Sequence, residues 1–357
     1  MSRIISFKRG KARLLYKSAY WHLSHYLVGR DFPLAATFQL TNKCNLRCIM
    51  CNIPNNPNQG VLPLNVFSLI VRELSSLGCC FVSLSGGEVL TIQNFFEYLN
   101  FAKANIPSVN MVTNGILLEA EAAKEIGKTC VDSVSVSLDG METTHERIRN
   151  LKGAFSKTVN AIENLKRFAH EVKVVVNTVI TPWNIDELYE LTNFVERLGV
   201  THKFQPLNEH PFFDGQTRQY SIEKEKKFVR AEIEELICFL LRKKNVANSP
   251  YFLKSIPDYF SNSNTHGLFN ERCLLPKFFC EFREDGKMYP CLGGTGWKGG
   301  YPVEQGIKNI YYSNEYRDDI KRLEDCRFCQ KSYSVCYIEP RVTFPISSFL
   351  KYKALGI

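Results

Sequence analysis

Cys44, Cys48 and Cys51 stand in the run Cys-Asn-Leu-Arg-Cys-Ile-Met-Cys, a C-x3-C-x2-C spacing. Three thiolates this close in sequence can converge on one metal centre. Structural zinc is bound by four ligands, usually two tight pairs, whereas a [4Fe–4S] cluster has four irons to ligate. Three cysteines therefore leave one iron open, where a substrate or cofactor can chelate. A zinc site completed by a distant residue, or plain buried thiols, are the alternatives. Six further cysteines lie downstream: Cys273, Cys280, Cys291, Cys326, Cys329 and Cys336. Cys79, Cys80, Cys130 and Cys238 fall in apolar contexts and read as small buried hydrophobes. The chain has 13 cysteines, and its N-terminus lacks the apolar stretch of a signal peptide. Metal binding is thus preferred to a disulfide framework. The 7 histidines, among them His22, His25 and His145, show no paired ligand spacing. No Ser-His-Asp or phosphate-loop pattern appears, and no paired acids stand out.

The elements that must carry the first cysteines are strands alternating with helices. Strands are expected at Ala35–Leu40, Phe81–Ser85, Val109–Thr113, Ser133–Leu138, Val172–Ile180 and Lys203–Gln205. Helices are expected near 64–77, 93–104, 118–127, 156–169 and 185–198. This alternation reads as a parallel α/β fold with crossovers of one hand. The strand count suits a partial (β/α)6 TIM-like barrel, whose site would lie at the C-terminal strand ends. Beyond it, one charged helix is expected over 221–244 and a short one over 251–260, then a loop over 261–272. A hairpin is expected over Glu281–Pro290, turning at Asp285-Gly286. The expected domains are a basic amphipathic helix (1–33), the barrel (34–220), a helical linker (221–265), a small cysteine-rich α+β domain (266–340) and a basic apolar tail (341–357).

The cysteine loop directly after the first strand resembles the radical S-adenosylmethionine superfamily, and the resemblance runs through residues 35–207. Ser85-Gly86-Gly87-Glu88, ending the second strand, is similar to the family's Gly-Gly-Glu element, with Val89 where Pro is common. There the backbone and the acid hold the methionine amino group. Glycines let main chain approach a ligand closely, and an acid pairs with an ammonium. Thr113-Asn114, ending the third strand, resembles the family's Thr-Asn-Gly. Ser137 and Asp139, ending the fourth, resemble residues facing the cofactor's ribose and carboxylate. Asn177, in an otherwise apolar fifth strand, is either a cofactor contact or a satisfied buried amide. Met50 stands where an aromatic is common and would pack near adenine. The resemblance implies reductive cleavage of S-adenosylmethionine at a [4Fe–4S] cluster. It implies a 5′-deoxyadenosyl radical that abstracts a substrate hydrogen, and a reducing donor of the flavodoxin or ferredoxin kind. The downstream cysteines resemble the auxiliary-cluster extension called SPASM, or its shorter form, twitch. An auxiliary [4Fe–4S] cluster on Cys273, Cys291, Cys326 and Cys329 is expected, with Cys280 and Cys336 as further candidates. A zinc ribbon is the rival, disfavoured by the wide Cys273–Cys280 spacing. A non-catalytic redox sensor or scaffold is the alternative of another class, but it would have no use for the Gly-Gly-Glu and Ser137/Asp139 elements.

The net charge of +9 is concentrated at the ends. Residues 1–30 carry 7 basic side chains and no acid, and residues 340–357 carry 3 and no acid, leaving the body near neutral. That excludes a basic stripe across the folded body, and with it a nucleic-acid partner. No apolar run is long enough to span a membrane. Over residues 11–28, Leu15, Tyr16, Ala19, Tyr20, Leu23, Tyr26 and Leu27 fall on one helical arc, with Arg13, Lys17, His22 and His25 opposite. Such a helix either lies on an anionic membrane surface or packs on the barrel. The expectation is a cytoplasmic enzyme, peripheral to the membrane, acting on a lipid-linked, sugar or other small-molecule substrate. A peptide or protein maturase is the alternative. It is weighed down by the short segment before the first strand, too small for a leader-binding module.

Overall fold

The computed structural model describes residues 16–17, 19–207, 229–261, 272–291, 300–326 and 338–340. Cys329, Cys336 and the C-terminal tail lie outside these. Six parallel strands form the body: β1 (Ala35–Gln39), β2 (Phe81–Ser85), β3 (Ser108–Thr113), β4 (Ser133–Ser137), β5 (Lys173–Ile180) and β6 (Thr201–Pro206). The crossovers carry α1 (Leu64–Leu77), α2 (Phe95–Asn105), α3 (Ala120–Thr129), α4 (Glu142–Arg149), α5 (Ala154–Phe168) and α6 (Leu188–Arg197). The fold is the expected α/β partial barrel.

Periodicity explains the packing. In α1, Phe67, Ile70, Val71 and Leu74 are buried, a stripe of helical spacing against the sheet. Gly78 ends α1 in the left-handed region at φ +112°, its N–H reaching the carbonyls of Leu74 and Ser75. A side chain there would also press on the Phe32 ring. The strands bury Ala36, Phe38, Val82, Leu84, Val109, Met111, Val134, Val136 and Val176 in one continuous core.

Two elements depart from expectation. α4 was missed, because Glu142-Thr-Thr-His-Glu-Arg-Ile-Arg149 has too few apolar residues to show a stripe; only His145, Ile148 and Arg149 are buried. The C-terminal cysteine region is not a sheet of its own. Its hairpin, β7 (Phe279–Arg283) and β8 (Lys287–Tyr289), turns at Gly286 with φ +71°, and β7 pairs parallel with β1. With β9 (Tyr301–Pro302) the described strands make one sheet in the order β6-β5-β4-β3-β2-β1-β7-β8-β9. The region after β6 adds α7 (Arg230–Leu240) and α8 (Pro250–Phe260), and after β9 come α9 (Ile307–Tyr312) and α10 (Asn314–Glu324). Residues 221–228 of the expected long helix lie outside the described residues.

Candidate cofactor site at the strand ends

A cavity of about 230 Å³ opens at the C-terminal edge of the parallel sheet, and all six strands contribute to it. Cys44, Cys48, Met50 and Cys51 enter from the loop after β1, and Gly86 and Gly87 from the end of β2. Val112, Thr113 and Asn114 come from β3, Ser137 from β4, Val179 from β5, and Gln205 and Leu207 from β6. Arg149, from the end of α4, closes the wall.

The cysteine loop is held from below by β2's end. Gly87 N donates to Thr41 O (2.7 Å) and Glu88 N to Lys43 O (2.8 Å). A Cβ on Gly86 would collide with the Thr41 carbonyl, and one on Gly87 with that of Lys43. The two glycines thus allow the main chain to touch the cysteine loop itself, a closer neighbour than the ligand the sequence suggested. From the other side, Glu284 accepts from Gln39 Nε2 (2.9 Å) and Asn42 Nδ2 (2.9 Å), so the β7–β8 hairpin braces the same loop.

The thiols face the cavity among a few polar contacts. Leu46 N donates to Cys44 Sγ (3.4 Å), and Arg149 Nη1 lies 3.7 Å from Cys48 Sγ. Burial, with repulsion from Cys48 and Cys44, pushes the Cys51 thiol up to about 12. Burial likewise raises Cys44. Such thiols keep their protons until a cation displaces them. Among the described residues no three His, Cys, Asp or Glu side chains are placed to hold a single metal ion. Cys44, Cys48 and Cys51 nonetheless line one cavity.

Several of the expected contact residues also brace the strand ends. Glu88 is 1% exposed. Its oxygens accept from Leu90 N (3.1 Å), Thr113 Oγ1 (2.8 Å) and Asn114 N (2.7 Å). It ties the ends of β2 and β3 together and does not line the cavity. Burial raises its pKa against those three donors. Ser85 Oγ donates to Phe38 O (3.0 Å). Asp139 is fully buried, accepts from Val179 N (2.9 Å) and forms an ion pair with Arg149. It aims the arginine at the cavity and is itself behind the wall. Burial works against the Arg149 charge, but Asp139 and Cys48 outweigh it and raise the pKa. His145 Nδ1 accepts from Asp139 N (3.0 Å). Burial, then the Arg149 charge, holds that imidazole neutral, its pKa lowered to about 2. Asn177 sits opposite Ser137 in the β4–β5 register, outside the lining. Its Oδ1 and Arg149 Nε are buried without hydrogen-bond partners, a donor and an acceptor unspent beside the cavity. Arg149 is the residue sequence reasoning missed. Its signal was the basic end of the short helix after Asp139-Gly140.

The second cysteine set divides. Cys273, Cys291 and the partly buried Cys326 share a small cluster with Trp21, Phe32, Phe278 and Phe279. Cys280 does not join them. It is fully buried on β7 within the main apolar core, where burial pushes its thiol far up. Cys79 and Cys80 are buried as expected, but Cys130 and Cys238 are exposed. Cys130 is the left-handed residue ending α3, at φ 56°, and Cys238 falls off the Ile233/Leu236/Ile237/Leu240 face of α7.

The cysteines thus line a cavity at the C-terminal strand ends of a partial parallel barrel. Residues 38–195 match the family model described as the Radical SAM superfamily. That match spans the strand–helix body that carries the cysteine loop, and over this part the chain is similar to that superfamily. It is similar to the sporulation killing factor maturation protein SkfB of Bacillus subtilis, 30% identical over 177 residues, covering 47% of this chain and 43% of that protein. The chain thus spans less than half of that relative's length. It is 26% identical over 320 residues to the AdoMet-dependent heme synthase of Methanosarcina barkeri, covering 84% of this chain and 88% of the synthase. The fold is shared with SuiB of Streptococcus suis. The SuiB structure bound to S-adenosylmethionine matches with a TM-score of 0.65 and 16% identity, over 89% of this chain and 76% of that one. The SuiB structure bound to precursor peptide SuiA matches with a TM-score of 0.63 and 17% identity, over 86% and 72%.

Proposed function

We propose that the protein is a radical S-adenosylmethionine maturase that abstracts a hydrogen atom from a peptide or protein substrate. The observation that carries the chemistry is the single cavity joining Cys44, Cys48 and Cys51 to Gly86, Gly87, Asn114, Ser137 and Arg149. When bound, the cluster and S-adenosylmethionine supply a reductive cleavage that gives methionine and a 5′-deoxyadenosyl radical. The chain's own share is placement and exclusion of water. Cys44, Cys48 and Cys51 would hold three irons. Arg149, the only cation lining the cavity among the described residues, would pair with a ligand carboxylate. Thr113, Asn114 and Ser137 offer hydroxyl and amide groups, and Val112, Val179 and Leu207 an apolar wall. Cys273, Cys291 and Cys326, with Cys329, would hold the auxiliary cluster, to take an electron from the substrate radical or to orient the substrate.

The peptide substrate rests on the likeness to a maturation protein, and it replaces the lipid-linked or sugar substrate the sequence suggested. A small-molecule substrate is the second reading, favoured by the heme synthase, whose match runs along most of both chains. Both readings need an external reductant of the flavodoxin or ferredoxin kind and a reducing compartment such as the cytoplasm. The test is anaerobic turnover in a fully deuterated peptide digest, with 5′-deoxyadenosine analysed by mass. Deuterium in the methyl group is expected. Deuterium acquired only from deuterated small metabolites contradicts the peptide reading, and no 5′-deoxyadenosine at all contradicts the chemistry.

A further inference from the structure

The N-terminal helical segment is docked with its apolar stripe outward. Its inner side is Trp21, Ser24 and His25. Trp21 is fully buried, donates from Nε1 to Phe32 O (3.0 Å) and meets the Phe278 ring edge-on at 5.6 Å. Ser24 Oγ donates to Arg30 O, and His25 Nδ1 pairs with Asp31 at 2.6 Å. Its outer side is the row Tyr16, Tyr20, Leu23 and Leu27, exposed by 70, 54, 57 and 77%, with Val28 beside it at 73%. The spacing is that of one helical face. A helix docked for stability alone hides such a row and gives its polar face to water. Here the arrangement is reversed, and among the described residues six of the nine exposed large hydrophobic side chains lie in this one segment.

The strip runs directly into a cationic cleft of about 560 Å³ lined by Arg30, Lys277, Tyr312, Arg317 and Lys321, with Asp31 and Glu324. Both acids are already paired, Asp31 with His25 and Glu324 with Lys277 at 2.9 Å. Arg30 and Arg317 instead flank the Tyr312 ring at 5.7 and 5.6 Å and have no acidic partner among the described residues. Both guanidinium groups line this cleft, and arginine is well suited to pairing with phosphate. The sequence adds charge of the same sign: Arg3, Lys8, Arg9, Lys11 and Arg13 precede the strip and Lys17 lies within it, with no acid among residues 1–30.

We propose that this face is a peripheral docking surface for an anionic phospholipid bilayer. The row Tyr16, Tyr20, Leu23 and Leu27 enters the headgroup–acyl boundary, and the Arg30/Arg317 cleft takes a headgroup phosphate. Charge complementarity selects this occupant. A second copy of the chain would bring the same cations against themselves, whereas a lipid surface offers an apolar layer under a sheet of phosphates. The inference is independent of the proposed substrate and is tested without turnover.

The experiment is flotation of the reconstituted full-length protein with phosphatidylcholine vesicles, with and without phosphatidylglycerol. Wild type is expected to float with the phosphatidylglycerol vesicles and to stay behind with phosphatidylcholine alone. Leu23→Glu combined with Leu27→Glu is expected to lower the vesicle-bound fraction about tenfold or more. Arg30→Gln combined with Arg317→Gln is expected to lower it several-fold, and added salt should weaken wild type in the same way. Iron content and far-ultraviolet circular dichroism of each variant show that it is folded. Equal flotation of the folded Leu23/Leu27 variant and wild type overturns the proposal. So does equal binding to neutral vesicles, or a wild-type dimer in sedimentation that the Leu23/Leu27 variant dissolves while neither floats.

Discussion

The first cysteine set comes from eight consecutive residues, 44–51, on a loop hung from one strand end. The second set, Cys273, Cys291 and Cys326, comes from three separate segments and shares an apolar cluster with the N-terminal Trp21, Phe278 and Phe279. The first loop is held by main-chain bonds from Gly87 and Glu88. The second draws on a long-range main-chain bond, Cys273 N to Glu324 O (2.7 Å), and on tertiary packing. A site built on local spacing is preorganised once its strand forms, while a distributed site exists only in the finished fold. Glu284 couples the two, because the residue following β7 reaches across to Gln39 and Asn42 beside the first loop.

The comparison breaks most sharply at the first loop. Cys48→Ala is expected to reduce 5′-deoxyadenosine to background, while the auxiliary iron, about four per chain, remains. A variant that keeps about eight irons per chain would place the cluster elsewhere. At the second set, Cys291→Ser should bring iron from about eight to about four per chain, whereas Cys280→Ser should leave it unchanged. Loss of iron in the Cys280 variant would mean that it is a ligand after all. Asp139→Ala strands the Arg149 charge in a buried wall and should cost about 3–5 kcal/mol in urea unfolding. A milder loss, under about 1 kcal/mol, would show that Arg149 relaxes into water.

Acid should act on the barrel through two neutral histidines. Burial lowers His145 to about 2 and His202 to about 3, from an ordinary value of 6.5. Below pH 6.5 the unfolded chain binds protons that the folded chain refuses. Stability is therefore full above that pH and falls as pH drops toward 3, by about 1.4 kcal/mol per pH unit for each histidine. His202→Gln should remove about half of that slope in urea melts at stepped pH. An unchanged slope would assign the acid sensitivity to other groups. The smallest effect is expected at the coupling residue. Glu284→Gln should cost about 1 kcal/mol and weaken S-adenosylmethionine binding a few-fold, and wild-type affinity would show that the two regions are independent.

The same contrast explains what the sequence disclosed. Alternating strand and helix periods gave the six parallel strands to within a residue or two, and the C-x3-C-x2-C spacing pointed at the loop the cavity contains. Side chains whose job is to orient another side chain have no such signature. Glu88 and Asp139 were read as ligand contacts from their resemblance to family elements, and in the fold they also accept hydrogen bonds from Asn114 N and Val179 N. Arg149 was passed over because α4 buries only one aliphatic residue, Ile148. The pairing of β7 with β1 is invisible too, since nothing local in Phe279–Arg283 specifies a partner more than two hundred residues away. The outward stripe of the N-terminal segment was legible as a pattern, but which way it faces depended on Trp21 finding a pocket among Phe32 and Phe278.

The central claim is that the cavity at the strand ends joins three cluster thiols to a cofactor cradle. Electron paramagnetic resonance of the reduced, reconstituted Cys291→Ser protein, before and after S-adenosylmethionine, tests it most directly. With the auxiliary cluster removed, the remaining [4Fe–4S] signal should shift on addition of the cofactor, as expected for binding at an open iron. A signal that ignores S-adenosylmethionine would contradict the claim.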